Sequence, residues 1–250
     1  MLSNRNLLVT GGSRGIGAAT CLRAATRGFR VVINYRTDEN AARHVYDSIK
    51  TNGGDAILVQ ADISREDDVV RLFTESRRQF GALDGLVNNA GILERQSRVE
   101  AITAERLNRV FATNVTGTFL CCREAIRQMS TKHGGRGGSI VNVSSVAARL
   151  GAPHEYVDYA ASKGAIDALT LGLSKEVADE GIRVNAVRPG FIYTDMHASG
   201  GEPGRVDRIK DTLPMKRGGH PEEVAEAILW FLSPDSSYTT GSFLELAGGR

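Results

Sequence analysis

Tyr159-Ala160-Ala161-Ser162-Lys163 places a phenol and an amine four residues apart in a stretch with a helical pattern. On an α-helix, four residues rise about 6 Å and complete slightly more than one turn, so the two side chains share a face. A tyrosine ordinarily loses its proton near pH 10. A neighbouring ammonium favours the phenolate and draws that pKa towards neutrality. The pair is therefore suited to general acid/base work near pH 7. Tyr-x-x-x-Lys also arises by chance in long helices, so its meaning depends on what surrounds it. Tyr156 has Ala160, not a lysine, four residues on, and is a candidate for lining a pocket. His154 and Glu155 titrate as well, and read as pocket rim or surface.

A second chemical signal lies near the start of the chain. Thr10-Gly11-Gly12-Ser13-Arg14-Gly15-Ile16-Gly17 follows an apolar run and precedes a helical one. Glycines at 11, 15 and 17 permit a tight turn, close approach of backbone to a pyrophosphate, and close helix–strand packing, with the anion at the helix N-terminus. The spacing is not Gly-x-Gly-x-x-Gly, so the strand-then-helix context carries the assignment. About 20 residues on, a site for NAD supplies an acid to the ribose. Here the strand ends Asn34-Tyr35-Arg36-Thr37-Asp38, with Arg36 at its end. An arginine there suits the 2′-phosphate of NADP, and Arg14 can reach the same group. NADP(H) is the preferred cofactor on these residues, with NAD(H) the second option. Asp38 reads as the cap of the next helix.

The elements that must position these groups are legible as alternation. Strand-like runs occur at Leu7–Thr10, Arg30–Asn34, Ala56–Gln60, Gly85–Asn88, Ser139–Val143, Arg183–Val187 and Ser242–Leu246. Helical patterns occur at Ile16–Arg27, Glu39–Lys50, Glu66–Gln79, Ala104–Met129, Asp158–Ala178 and Pro221–Leu232. Apolar runs without polar alternation, spaced by helices, predict an α/β doubly wound Rossmann fold: a central, mostly parallel seven-stranded sheet with helices on both faces. The expected organisation is one dinucleotide-binding catalytic domain over residues 1–250. Residues 191–213 carry little periodicity and several Gly and Pro, and are expected to form a substrate lid over the carboxyl ends of the strands. His133–Gly138 is Gly-rich but precedes a strand, so it predicts a surface turn and not a P-loop.

Composition narrows the function. The 250 residues are 41% hydrophobic and 24% charged, with net charge +2. Such a chain has material for a core and no electrostatic footprint for nucleic acid. Cys21, Cys121 and Cys122 suggest neither a disulfide framework nor a metal site. No apolar run approaches the roughly 18 residues needed to span a membrane. The expectation is a cytoplasmic protein with no membrane, metal or nucleic-acid partner.

Taken together, Thr10–Gly17, Asp62, Asn88-Asn89-Ala90-Gly91, Asn114, Ser145, Tyr159 with Lys163, and Pro189-Gly190 occur in an order that resembles the short-chain dehydrogenases/reductases of compact, single-domain type. The likeness covers essentially the whole chain, and includes reductases of 3-oxoacyl groups on carrier protein and glucose dehydrogenases. It implies hydride transfer between NADP(H) and a small carbonyl or secondary alcohol. Tyr159 would be the acid/base, with Lys163 lowering its pKa and holding the nicotinamide ribose. Ser145 would hydrogen-bond the reacting oxygen, with Ser144 as the competing serine, and Asn114, within a long helix, would complete a water-linked proton relay. Gly11, Ser13, Arg14, Gly15, Ile16 and Gly17 would form the phosphate loop and Arg36 would meet the 2′-phosphate. Asp62 and Ile63 would meet the adenine, Asn89, Ala90 and Gly91 the ribose, and Ile192 and Thr194 the nicotinamide carboxamide. The closing Leu246-Ala247-Gly248-Gly249-Arg250 lacks the acid that many relatives carry there. The resemblance also implies a homotetramer built partly from Ala104–Met129 and Asp158–Ala178. A carrier-protein partner would use Arg123, Arg127 and Lys132, which otherwise read as a solvated helix face. The competing functional class is a dinucleotide-binding sensor or scaffold without turnover.

Overall fold

The computed structural model describes residues 4–250. Seven strands form one sheet: β1 (Asn6–Val9), β2 (Arg30–Tyr35), β3 (Asp55–Gln60), β4 (Gly85–Asn88), β5 (Gly138–Val143), β6 (Ile182–Pro189) and β7 (Phe243–Leu246). Their spatial order is β3-β2-β1-β4-β5-β6-β7, and all six pairings are parallel. Apolar side chains on both faces of each central strand require cover on both sides. Leu7 and Val9 face one core with Val31 and Ile33, while Leu8 and Val32 face the other.

The helices that supply the cover alternate with the strands. They are α1 (Gly15–Thr26), α2 (Glu39–Thr51), α3 (Glu66–Phe80), α4 (Ala104–Phe111), α5 (Gly117–Met129), the short α6 (Ala147–Leu150), α7 (Val157–Glu176), the short α8 (Met196–Ser199) and α9 (Arg205–Ile209), and α10 (Pro221–Leu232). One core takes Cys21 and Ala24 of α1, Val45 and Ile49 of α2, and Val224 through Leu232 of α10. The other takes Leu72 and Phe73 of α3, Cys121 to Met129 of α5, and Ile166 to Leu173 of α7. All three cysteines are free and buried in these cores.

Two segments differ from the sequence expectation. The single helix predicted over Ala104–Met129 is interrupted by a π-helical turn at Ala112–Thr116, which holds Asn114. A π turn takes up one extra residue while the helix carries on, so no proline or new cap marks it in the sequence. Just beyond it, Gly117 lets the β3–α3 loop touch the helix: a Cβ there would lie 2.7 Å from the Ile63 carbonyl oxygen. The second segment, 191–213, is not an irregular loop but carries α8, α9 and a 3₁₀ turn at Lys210–Thr212. These helices are too short to show a period of 3.6 in sequence.

The strand order reverses between β1 and β4, which opens a crevice at their carboxyl ends. Side chains, not packing alone, set its width. The Thr10 hydroxyl accepts from the Asn89 and Ala90 N–H groups, each at 3.0 Å. In return, Asn89 Nδ2 donates to the carbonyls of Thr10 and Gly11, also at 3.0 Å. Asn34 reaches the same loop from β2, its Oδ1 accepting from Gly11 N–H at 3.2 Å and its amide donating to Ala61 O at 3.0 Å.

Candidate active site

The crevice is a cleft of about 430 Å³. The glycine loop forms its floor. Gly11 and Gly15 have φ of +61° and +53°, a region that side-chain-bearing residues rarely enter. Gly17 does not line the cleft; a Cβ there would stand 2.2 Å from Gly11 O, so this glycine lets α1 pack against the loop. The first turn of α1 has no acidic residue, and its N-cap Arg14 makes no side-chain capping bond, so unpaired N–H groups face the cleft. Ser13, Arg14, Gly15, Ile16, Arg36, Asp62, Ile63, Asn89, Ala90, Gly91 and Thr194 all line it. A glycine cradle, a free helix N-terminus, two exposed arginines and an apolar slot beside Ile63 fit a phosphorylated dinucleotide.

Two residues are engaged otherwise than the sequence suggests, and a third, Asp38, as it predicts. Asp62 uses Oδ1 to accept from the N–H and hydroxyl of Ser64, which shapes the turn into α3. Asp38 lines the cleft but caps α2 through Ala41 N–H at 2.9 Å, as its position before that helix predicts. Ile192 departs from its expected place beside the nicotinamide. A parallel bridge to Gly219 turns its side chain inward, where it is 4% exposed and packs with Val224 and Ile228 against the sheet.

The other four singled-out side chains gather around the inner end of the cleft. Gly91 is the meeting point: a Cβ there would lie 3.4 Å from Asn114 Oδ1 and 3.6 Å from Lys163 Nζ. Asn114 accepts from Ile92 N–H at 2.8 Å and donates to Ile92 O and the Ser162 hydroxyl, each at 3.1 Å. The π turn places this amide against α7. Lys163 Nζ donates to Val143 O at 2.8 Å and lies 5.5 Å from the centre of the Tyr159 ring. Ser145, two residues past β5, accepts from Ala147 N–H at 3.1 Å and interacts with the Tyr159 hydroxyl. Ser144 faces the other way, into α7. Asn88 and Asn142 lock these strand ends together at 2.9 Å, and Asn142 holds Thr170 of α7 at the same distance. Asn142 does not stand out in the sequence, because a polar residue inside a buried strand carries no spacing signal, and Asn88 appears there only as the first residue of its landmark.

Comparison with known proteins decides the lineage. Residues 11–250 match the family model described as enoyl-(acyl carrier protein) reductase. An uncharacterised oxidoreductase of Escherichia coli is 64% identical over 243 residues, which cover 97% of this chain and 98% of that protein. Glucose 1-dehydrogenase 2 of Bacillus subtilis is 39% identical across 99% of this chain and 95% of its own. A short-chain dehydrogenase of Burkholderia cenocepacia, solved in complex with NADP, superposes with a TM-score of 0.91 at 32% identity, covering 99% and 98%. The chain belongs to the short-chain dehydrogenase/reductase family. It is an oxidoreductase with the Rossmann architecture of that family.

The electrostatics of this dehydrogenase/reductase correct one expectation. The Tyr159 pKa is not drawn towards neutrality: burial pushes the phenol up to about 12, and the Ser145 hydrogen bond recovers only part of the rise. Burial also brings Lys163 down to about 8, against the pull of Asp167. Desolvation penalises each charged form separately and is the largest cause in both. Lys163 is 4% exposed, so its ammonium is held in the fold at a cost. Because its folded pKa lies below the unfolded value, that cost is complete below about pH 8 and vanishes as pH rises past about 10.5. Lys163→Met removes the buried charge and forfeits the bond to Val143 O. At neutral pH we expect a net stabilisation of about 1–2 kcal/mol, a Tm rise of about 3–6 °C that disappears near pH 10.5. A lower Tm for the variant in calorimetry at neutral pH would contradict this.

Proposed function

We propose that this chain is an NADP(H)-dependent oxidoreductase that interconverts a carbonyl and a secondary alcohol, with Tyr159 as acid/base. The observation that carries the reading is the gathering of Asn114, Ser145, Tyr159 and Lys163 at the inner end of a cleft that fits a dinucleotide. A bound nicotinamide supplies the hydride in reduction and accepts it in oxidation. The residues supply the proton and the placement.

In reduction, the Tyr159 hydroxyl gives its proton to the carbonyl oxygen while the Ser145 hydroxyl donates a hydrogen bond to the same atom. The Lys163 ammonium then stabilises the phenolate left behind and holds the ribose hydroxyls. Asn114 maintains the water-linked route by which the phenol regains its proton. A phenol at about 12 rests protonated at neutral pH, which favours the reductive direction. Gly11, Ser13, Arg14, Gly15 and Ile16 receive the pyrophosphate. Asp62 and Ile63 flank the adenine, Asn89, Ala90 and Gly91 the ribose, and Thr194 the carboxamide. Arg36 and Arg14, both exposed at the cleft edge, suit the 2′-phosphate, while Asp38 is already committed to its cap.

Residues 191–213 act as the substrate lid. In the position seen, the Tyr156 hydroxyl donates to Gly200 O at 3.3 Å and Arg205 of α9 pairs with Glu155 and Glu202. In addition, Leu107, Phe111, Phe119 and Leu171 expose apolar surface on α4, α5 and α7, which supports association of copies into a homotetramer through these helices.

Three measurements test this reading. With NADPH and a panel of aldehydes, a 3-oxo ester, glucose and a 3-oxosteroid, Tyr159→Phe should lower kcat about 10²- to 10⁴-fold on any compound turned over. Its NADPH affinity, read by fluorescence, should stay near that of the native protein, and retained kcat would sink the assignment. Arg36→Ser should weaken NADPH at least about tenfold and leave NADH unaffected; equal loss for both cofactors would remove Arg36 from phosphate recognition. Light scattering should give four times the chain mass, and a monomeric mass would reject the tetramer.

A further inference from the structure

Ser144, beside Ser145, is tied to α7 rather than to the cleft. Its hydroxyl donates to Asp167 Oδ1 at 2.6 Å and lies 3.3 Å from the Lys163 carbonyl oxygen. Asp167 follows Lys163 by four residues, one turn along the same helix face. Its second oxygen accepts from Arg188 Nη2 at 2.8 Å and Nε at 3.1 Å. Arg188, on β6, rests 3.9 Å above the Phe243 ring and gives Nη1 to Glu245 of β7 at 3.2 Å. Arg149 of α6 takes the other Glu245 oxygen at 2.9 Å. The Asp167 and Arg188 side chains are only 14% and 16% exposed.

We infer that Asp167 is a positioning residue for the catalytic pair: it fixes the end of β5 against α7 through Ser144 and supplies the negative charge that keeps Lys163 an ammonium. This rests on the roles proposed above for Ser145, Tyr159 and Lys163. Two observations separate it from a simple structural ion pair. The carboxylate is divided between Ser144, the neighbour of Ser145 just past β5, and the arginine behind it, so removing it loosens the catalytic serine's neighbour directly. Moreover, Arg188 engages only Oδ2, which leaves Oδ1 to the neutral Ser144 hydroxyl on the side of Lys163. The groups around Lys163 are then Tyr159 and Asp167 on its own helix, neutral Asn114 on the π turn, and the Val143 carbonyl and Ser144 on the β5 side. Arg188, Glu245 and Arg149 follow behind Asp167. Burial disfavours the ammonium, and Asp167 is the charge that opposes it.

The test follows NADPH binding by nicotinamide fluorescence from about pH 6 to about pH 10, with kcat on the fastest carbonyl of the panel measured alongside. Loss of the ammonium loosens the grip on the ribose, so affinity falls on the alkaline side. Removing a negative charge lowers the pH at which that proton leaves. Asp167→Asn should therefore move the alkaline midpoint down by about one pH unit, and Asp167→Glu should restore it. Ser144→Ala, which keeps the charge, should hold the native midpoint while kcat falls severalfold. An unmoved midpoint in Asp167→Asn with a lowered Tm, or an equal shift in Ser144→Ala, overturns the inference. If Tyr159→Phe keeps its turnover, the parent reading fails, while the binding midpoint still decides the role of Asp167.

Discussion

The burial of one ammonium organises this protein. Lys163 sits in a region from which water is largely excluded, and a charged group there persists only when polar atoms converge on it. Those atoms come from separate parts of the chain: the Val143 carbonyl at the end of β5, the Asn114 amide on its π turn, and the Tyr159 phenol one helical turn away. Gly91 lies against two of these groups, and a Cβ there would sit in van der Waals contact with both the lysine and the amide. The sheet, the interrupted helix and the loop after β4 thus all answer to a single charge.

The same economy governs the crevice. A parallel sheet separates β1 from β4 only by their hydrogen bonds, and the chain leaves both strands through loops rich in polar backbone. Thr10 and Asn89 satisfy those backbone groups reciprocally, while Asn34 secures the glycine loop to the neighbouring strands. The N–H groups of α1 are left free by contrast. Selective satisfaction, with loops saturated and one helix end kept open, makes the cleft receptive to an anion without softening the fold.

Much of this was legible in the sequence. Seven apolar runs spaced by helices specify the parallel sheet, and the glycine loop, Tyr159 and Lys163 announce themselves through spacing. The tie of Ser144 to Asp167 was not legible, because a serine–carboxylate contact between a strand end and a helix leaves no local pattern. The π turn was hidden because it takes up one extra residue with no proline or cap to mark it. Ile192 was placed by resemblance alone, and the inward setting of its side chain comes from a bridge to Gly219 that no local pattern announces. The acidity of Tyr159 could not be read from a Tyr-x-x-x-Lys spacing, since the depth of burial belongs to the tertiary structure.

The widened turn at Ala112–Thr116 also limits how the chain can change in length. Each residue of an α-helix turns the chain by about 100°, so an inserted or lost residue rotates everything that follows. Shortening the π turn by one residue would let α4 and α5 run on as one regular helix. The π turn absorbs one such residue, so the shortened helix would keep Cys121, Cys122 and Met129 on their core side but lose the widened turn that aims the Asn114 amide at α7. Surface loops of this protein can gain or lose residues at small entropic cost. This segment, although it reads as ordinary helix, has a residue count that cannot drift.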